Sequence, residues 1–154
     1  MFKIPAVKLI VTWIGKTRDA AIQSLTADYL KRVTHYTPVE ALALPGEAAL
    51  LKMVRAEGSR GGAQLILLDT DGKQYTSEEF ARFLDAQRNR SPYPLLFAIG
   101  PADGFSKEVR AAATQIISMG KMTMAHELAR VVFLEQLCRA FTILKGHPYH
   151  LAHK

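Results

Sequence analysis

The sequence predicts a single α/β domain with a mostly parallel sheet flanked by helices, and three observations carry that expectation. Short apolar runs rich in β-branched residues alternate with helix-spaced segments along the whole chain, the pattern of strands joined by crossover helices. One of those runs, Leu65–Leu68, is continuously apolar, as a strand covered on both faces must be. The 154 residues also form one domain, 1–154, undivided by repeats, low-complexity tracts or linkers. A chain of that size buries roughly two-thirds of its unfolded surface.

Val7–Ile14 reads as a buried strand closed by Gly15. Ile22, Leu25, Tyr29 and Val33 then recur at helical spacing, with Asp28, Lys31 and Arg32 turned away, until Pro38 ends the segment. Val39–Leu44 is a second strand, and Glu47–Glu57 a short helix presenting Leu50, Leu51 and Val54. Gly58–Ala63 is flexible by composition. With Arg55 and Arg60 it is either a phosphate-touching loop or a plain surface linker. Leu65–Leu68 ends in a turn, Asp69-Thr70-Asp71-Gly72-Lys73.

Thr76, with Glu79 three residues on, forms a capping box that opens a helix burying Phe80, Phe83 and Leu84. Ser91-Pro92-Tyr93-Pro94 breaks it before the strand Leu95–Gly100. Ser106 caps a helix carrying Val109 and Ala113, and Gln115–Met119 is the last strand. Ala125–Leu144 is a long helix with apolar residues at Leu128, Val131, Val132, Leu134, Leu137, Cys138 and Phe141. That stripe is broader than one helix in a small domain ordinarily needs for its own core, which suggests a dimer interface.

Composition narrows the function classes. With 49% hydrophobic and 22% charged residues the chain is an ordinary globular protein. Twenty Lys and Arg against 14 acids leave a net charge of +6, which suits a polyanionic partner but is equally compatible with plain solubility. The lone Cys138 cannot form an internal disulfide, pointing to a reducing compartment. The apolar run Val7–Ile14, about eight residues, falls short of the roughly 20 that cross a bilayer. No small-residue cleavage pattern follows it. A cytoplasmic protein without a membrane partner is expected.

Among the motifs, Gly15-Lys16-Thr17 imitates the end of a phosphate-binding loop, but Ile10 stands where its first glycine is required. Gly100-Pro101-Ala102-Asp103-Gly104 follows a strand and precedes a helix without the dinucleotide G-x-G-x-x-G pattern. It is either a tight turn or a place where backbone approaches a ligand closely. Met119-Gly120-Lys121-Met122-Thr123-Met124 combines backbone donors with polarisable thioethers, suited to a flat purine carrying a sulfonium, or to simple packing under a loop. His147, His150 and His153 sit three apart, but Pro148 makes the segment extended, so convergence on a metal is not expected. Tyr149 and His150 are candidates for stacking on a base or handling a proton. Arg130 and Arg139 share the long helix with Glu127 and Glu135, spaced for helix ion pairs, with phosphate contact as the alternative.

Leu95–His150 resembles the RlmH family, small SPOUT-superfamily methyltransferases that methylate N3 of a pseudouridine in 23S ribosomal RNA. The matching pieces are Leu67-Leu68-Asp69 with Gly72-Lys73, Ile99-Gly100 with Gly104, and Lys121-Met122-Thr123 with His126. Further matches are Ala129-Arg130-Val131, Glu135-Gln136-Leu137, Arg139-Ala140-Phe141 and Pro148-Tyr149-His150. The resemblance implies an α/β fold of SPOUT type with a deep C-terminal trefoil knot, a homodimer, and S-adenosylmethionine as methyl donor with no metal. It implies donor contacts at Leu68, Gly100, Met119, Gly120, Lys121, Met122, Thr123 and Met124. Tyr149, His150 and His126 become the catalytic candidates, the tail reaching the acceptor across the dimer. The implied substrate is 23S ribosomal RNA in the assembled ribosome, with Arg55, Arg60, Arg88 and Arg90 as phosphate contacts. The chain departs from the family where Pro101 replaces a second glycine, Gly120 a serine and Cys138 a tyrosine, and where Leu151–Lys154 extend the tail. Those departures keep a second reading open, a catalytically inactive RNA- or ribosome-binding protein on the same fold.

Overall fold

A computed structural model describes residues 7–57, 64–90, 92–101 and 103–153, so the whole of the predicted flexible loop 58–63, Arg60 included, lies outside the described residues. The elements run β1 (Leu9–Ile14), α1 (Ala20–Thr34), β2 (Val39–Leu44), α2 (Glu47–Glu57), β3 (Gln64–Gln74) and α3 (Ser77–Arg90). Then come β4 (Leu95–Ile99), α4 (Lys107–Ala112), β5 (Gln115–Ser118), α5 (His126–Lys145) and α6 (Tyr149–Ala152). The five strands form one sheet in the order β2-β1-β4-β3-β5. Every pairing is parallel.

Side-chain alternation explains why the strands are apolar throughout. Leu9, Val11, Trp13, Ile66, Leu68, Phe97 and Ile99 face a layer made by α1, α3 and α5, where Val33, Leu84, Phe133 and Phe141 meet them. Ile10, Leu65, Leu67, Leu96 and Ala98 point the other way, onto Leu50, Phe105 and Val109 of the α2 and α4 side. Both faces are covered, so period-2 polarity disappears. The hydroxyl of Thr12, a buried polar group in β1, donates to the Phe97 carbonyl at 3.0 Å.

The capping box forms reciprocally: the Thr76 N–H donates to Glu79 Oε1 at 2.8 Å, and the Glu79 N–H to Thr76 Oγ1 at 3.1 Å. Four expectations need correction. Leu25 is 42% exposed, because the inner face of α1 runs through Ile22, Tyr29, Leu30 and Val33 instead. Most of the broad stripe of α5 is consumed within the chain, while Leu128 is exposed and Val132 half-buried. The helix lies against both α1 and α3, and Val131, Leu134, Leu137, Cys138 and Phe141 are all buried there. Leu134, Leu137, Cys138 and Phe141 serve the chain's own core. Pro148 does not extend the tail; it is the N-cap of α6, where a missing N–H costs nothing. Finally, β3 does not stop at Leu68. Its Asp69–Gly72 segment loops out, and the strand then pairs with β5 again, Lys73 beside Ile117 and Gln74 beside Ser118.

Candidate functional site

Parallel registers bring Ile14, Leu68, Ile99 and Ser118 to one edge of the sheet, where the strands' carboxyl ends and their loops gather. Three loops enclose a cavity of about 390 Å³ there: the loop-out of β3, the turn after β4 and the segment between β5 and α5. That size falls within the roughly 300–1,000 Å³ of small-molecule sites.

Glycine places the second loop. A Cβ on Gly100 would stand 2.8 Å from the Phe105 ring, so only glycine lets that ring pack beneath the turn. The Gly104 N–H closes the turn onto the Pro101 carbonyl at 2.9 Å, with Gly104 at φ +83°. The proline ring substitution therefore leaves the turn's hydrogen bond intact, since only the carbonyl of Pro101 is used. The third loop turns at Gly120, φ +133°, where a side chain would be strained although no atom lies within 4 Å of its Cβ position. Ser118 ties two loops together: its hydroxyl reaches the carbonyls of Thr70 (3.2 Å) and Gly120 (2.9 Å) and accepts the Gly120 N–H at 3.0 Å.

Charge is concentrated on one wall. Arg110, at the end of α4, places Nη1 3.0 Å from Asp69 Oδ2 and Nη2 2.9 Å from Asp71 Oδ2. Hydrogen bonds from the Arg110 guanidinium, chiefly, hold the Asp71 carboxyl below the usual carboxylate range. Asp103 adds a third carboxylate to the lining, leaving an acidic pocket in a basic chain. At the start of α5, Glu127 accepts the N–H groups of Arg18 (2.9 Å) and Asp19 (3.0 Å), which lowers its pKa and ties α5 to the head of α1. Arg130, 1% exposed, makes no helix ion pair with Glu127. It donates to Thr17 Oγ1 at 2.8 Å and the Ile14 carbonyl at 3.1 Å, and stacks over Trp13.

Of the residues singled out in the sequence, Leu68, Gly100, Met119, Gly120, Met122, Thr123, Met124 and His126 line this cavity. Lys121 is not among the lining residues. Tyr149 and His150 are elsewhere: they follow the far end of α5, and 20 helical residues span about 30 Å. There they close on Arg139, whose i,i+4 pair with Glu135 measures 2.6 Å. Burial, chiefly, pushes the Tyr149 phenol up to about 12. Sequence reasoning missed Asp69, Asp71 and Arg110 as a unit, because the partners stand about 40 residues apart and only the loop-out joins them. Among the described residues, no group of three or more His, Cys, Asp or Glu could hold a metal ion, and no helix is long and apolar enough to cross a membrane.

A parallel sheet with an acidic, glycine-bent cavity at its carboxyl edge defines a small-molecule-binding α/β protein, and the chain belongs to the SPOUT methyltransferase family. The family model described as "Predicted SPOUT methyltransferase" matches residues 7–150. The chain is 55% identical over 146 residues to the ribosomal RNA large subunit methyltransferase H of Koribacter versatilis, covering 95% of this chain and 99% of that protein. It is 40% identical over 155 residues to the protein of the same name from Geobacter sulfurreducens, covering 93% and 99%. The fold matches the SpoU methyltransferase AviRb from Streptomyces viridochromogenes, solved in complex with the cofactor AdoMet, with a TM-score of 0.53 and 17% identity. The match covers 88% of this chain and 59% of AviRb.

Proposed function

We propose that the protein transfers a methyl group from S-adenosylmethionine to N3 of a pseudouridine in 23S ribosomal RNA, acting on assembled ribosomes as a cytoplasmic homodimer. The observation that carries this reading is the cavity at the carboxyl edge, in a chain that matches ribosomal RNA large subunit methyltransferases H over nearly their full length. Its residues fit the donor. Backbone of the β4 and β5 loops is exposed beside Met119, Met122 and Met124, and the acidic lining complements a cationic sulfonium. Leu68, Gly100, Met119, Gly120, Met122, Thr123 and Met124 would hold it, with Lys121 flanking. Bound there, the donor supplies the electrophilic methyl and a thioether leaving group. The chain's own part is to hold the two reactants in line.

The catalytic candidates divide between two places, His126 at the cavity and Tyr149 with His150 about 30 Å along α5. That separation supports a site completed by the tail of a second copy. A second hollow of about 330 Å³, lined by Tyr75, Phe80, Val132 and Gln136 and sharing Leu68 and Met119 with the first, offers a partner a seat. The deep trefoil knot belongs to the same reading, supported by the close crossing of Gly72 over the β5 backbone. For the ribosome, exposed Arg55 and Arg90 remain phosphate contacts, whereas Arg88 is laid over the Phe141 ring. The inactive reading loses ground at both departures, since the Pro101 carbonyl still closes its turn onto the Gly104 N–H and the Gly120 N–H is still held by the Ser118 hydroxyl.

The test is mass spectrometry of the pseudouridine-bearing 23S fragment from ribosomes treated with protein and S-adenosylmethionine, alongside calorimetry with the donor. One added methyl at N3 is expected. Donor binding without methylation would favour the inactive binder, and neither signal would remove the reading altogether.

A further inference from the structure

Arg139 is the hub on which the carboxyl tail is docked. Its side chain is 10% exposed, and Nε and Nη2 both donate to Glu135 Oε1, at 3.0 and 2.6 Å. Nη2 also donates to the His153 carbonyl at 2.8 Å, and the guanidinium lies over the Tyr149 ring. What remains is Nη1, which stands 3.0 Å from Nδ1 of His150. On its other side, Nε2 of the same imidazole stands 2.8 Å from Oε1 of Glu78 in α3.

A carboxylate on one ring nitrogen ordinarily makes the other nitrogen a base. Here the other nitrogen already faces a guanidinium, which has only protons to offer. Nδ1 must therefore present its lone pair to Arg139, and the ring proton sits on Nε2, donated to Glu78. Both nitrogens are spoken for, and the one facing Glu78 carries a hydrogen.

We propose that Arg139 is a positioning residue that fixes His150 as the Nε2–H tautomer, so that His150 serves the reaction as a hydrogen-bond donor and not as a proton acceptor. This rests on the methyl-transfer reading above. Loss of the N3 proton spreads negative charge onto the two carbonyl oxygens flanking N3. One of those oxygens takes the place of Glu78 Oε1 and accepts the Nε2 hydrogen, as an oxyanion hole accepts developing charge. The N3 proton passes to water. The N3–carbon bond forms as the sulfur–carbon bond breaks, its electron pair leaving with sulfur.

Two measurements decide the matter. Nitrogen-15 NMR of the histidine rings in the intact protein should give His150 a pyridine-type shift at Nδ1 and a pyrrole-type shift at Nε2, and Arg139→Lys should blur that assignment. A proton found on Nδ1 overturns the inference whatever the activity. In the methylation assay, His150→Gln, which keeps an N–H near the Nε2 position, should stay within about tenfold of wild type. His150→Ala should lose about a hundredfold or more, the scale of a positioned proton-handling group. Equal losses would make His150 a base and refute the donor role.

The groups against the ring are Glu78 on α3 and Arg139 on α5; Glu135 on α5, Tyr149 on α6 and the His153 carbonyl beyond it surround Arg139, with Tyr29 of α1 acting on that hub through its field. Wild-type protein that methylates nothing would sink the functional reading, while the ring shifts would still report the tautomer.

Discussion

Replacing Gly72 by alanine tests the crossing on which the site is built. A Cβ at this position would lie 2.7 Å from the Ile117 carbonyl carbon and 2.8 Å from the carbonyl carbon and oxygen of Ile116. All three are backbone atoms of β5, so no side-chain rotation relieves them. Ordinary contact begins near 3.4 Å, which requires the strands to part by about 0.6–0.7 Å. That movement loosens the pairing of Lys73 with Ile117 and shifts Asp69 and Asp71 in the cavity wall. Overpacking of this kind costs about 3 kcal/mol at its upper end. The stiffer unfolded chain returns about 0.4–1 kcal/mol. A net loss of about 2–2.6 kcal/mol lowers Tm by about 4–10 °C in a domain of this size. Gly72 does not adopt a positive φ, so the effect is steric alone. Circular-dichroism melts of Gly72→Ala beside Gly46→Ala, whose Cβ would meet no atom within 4 Å, provide the assay. Gly46→Ala should stay within about 0.5 kcal/mol of wild type. A Gly72→Ala protein melting at or above the wild-type temperature would refute the crossing.

Spectrophotometric titration should find a phenol that ionises only near pH 12, and Tyr149→Phe should delete that step. Because the folded pKa lies above the unfolded value of about 10, this phenol's contribution is complete below pH 10 and lost as pH rises toward 12. Glu127 runs the opposite way. Its folded pKa is lowered, so its contribution is present above about pH 4.3 and lost as acid protonates it. Acid denaturation curves of Glu127→Gln should accordingly be shallower than wild type, and identical slopes would show the link between α5 and α1 to be idle. Gly120→Ala forces a residue with a Cβ to φ +133°, a strain of about 1–3 kcal/mol. Calorimetry should show S-adenosylmethionine binding weakened about tenfold or more, and unchanged affinity would mean the loop bends freely.

Much of this architecture was legible wherever the determining chemistry is local. Thr76 and Glu79 announce their capping box three residues apart, and every strand core was visible as an apolar run because both sheet faces are covered. Non-local features were hidden. Asp69–Gly72 has the composition of a turn and becomes a loop-out inside a strand only because β5 arrives to pair on its far side. Pro148 reads as a helix breaker until its place at a helix start is known. Spacing gave the Arg139–Glu135 pair correctly, yet the identical logic failed for Arg130. Its nearest oxygens belong to residues more than 100 positions earlier. The cavity candidates fall together because consecutive loop residues share a strand end; Arg110 and the two aspartates had no such neighbourhood to betray them.

Helix α5 begins at the cavity and ends at the docked tail, and it is packed along its length by α1 and α3. It thus works as a caliper. Inserting a single residue anywhere along it would swing the tail about 100° around the axis and advance it by about 1.5 Å, turning Arg139 and its imidazole partner toward different neighbours. The number of residues between His126 and Tyr149 is thus tied to the distance this strut must measure.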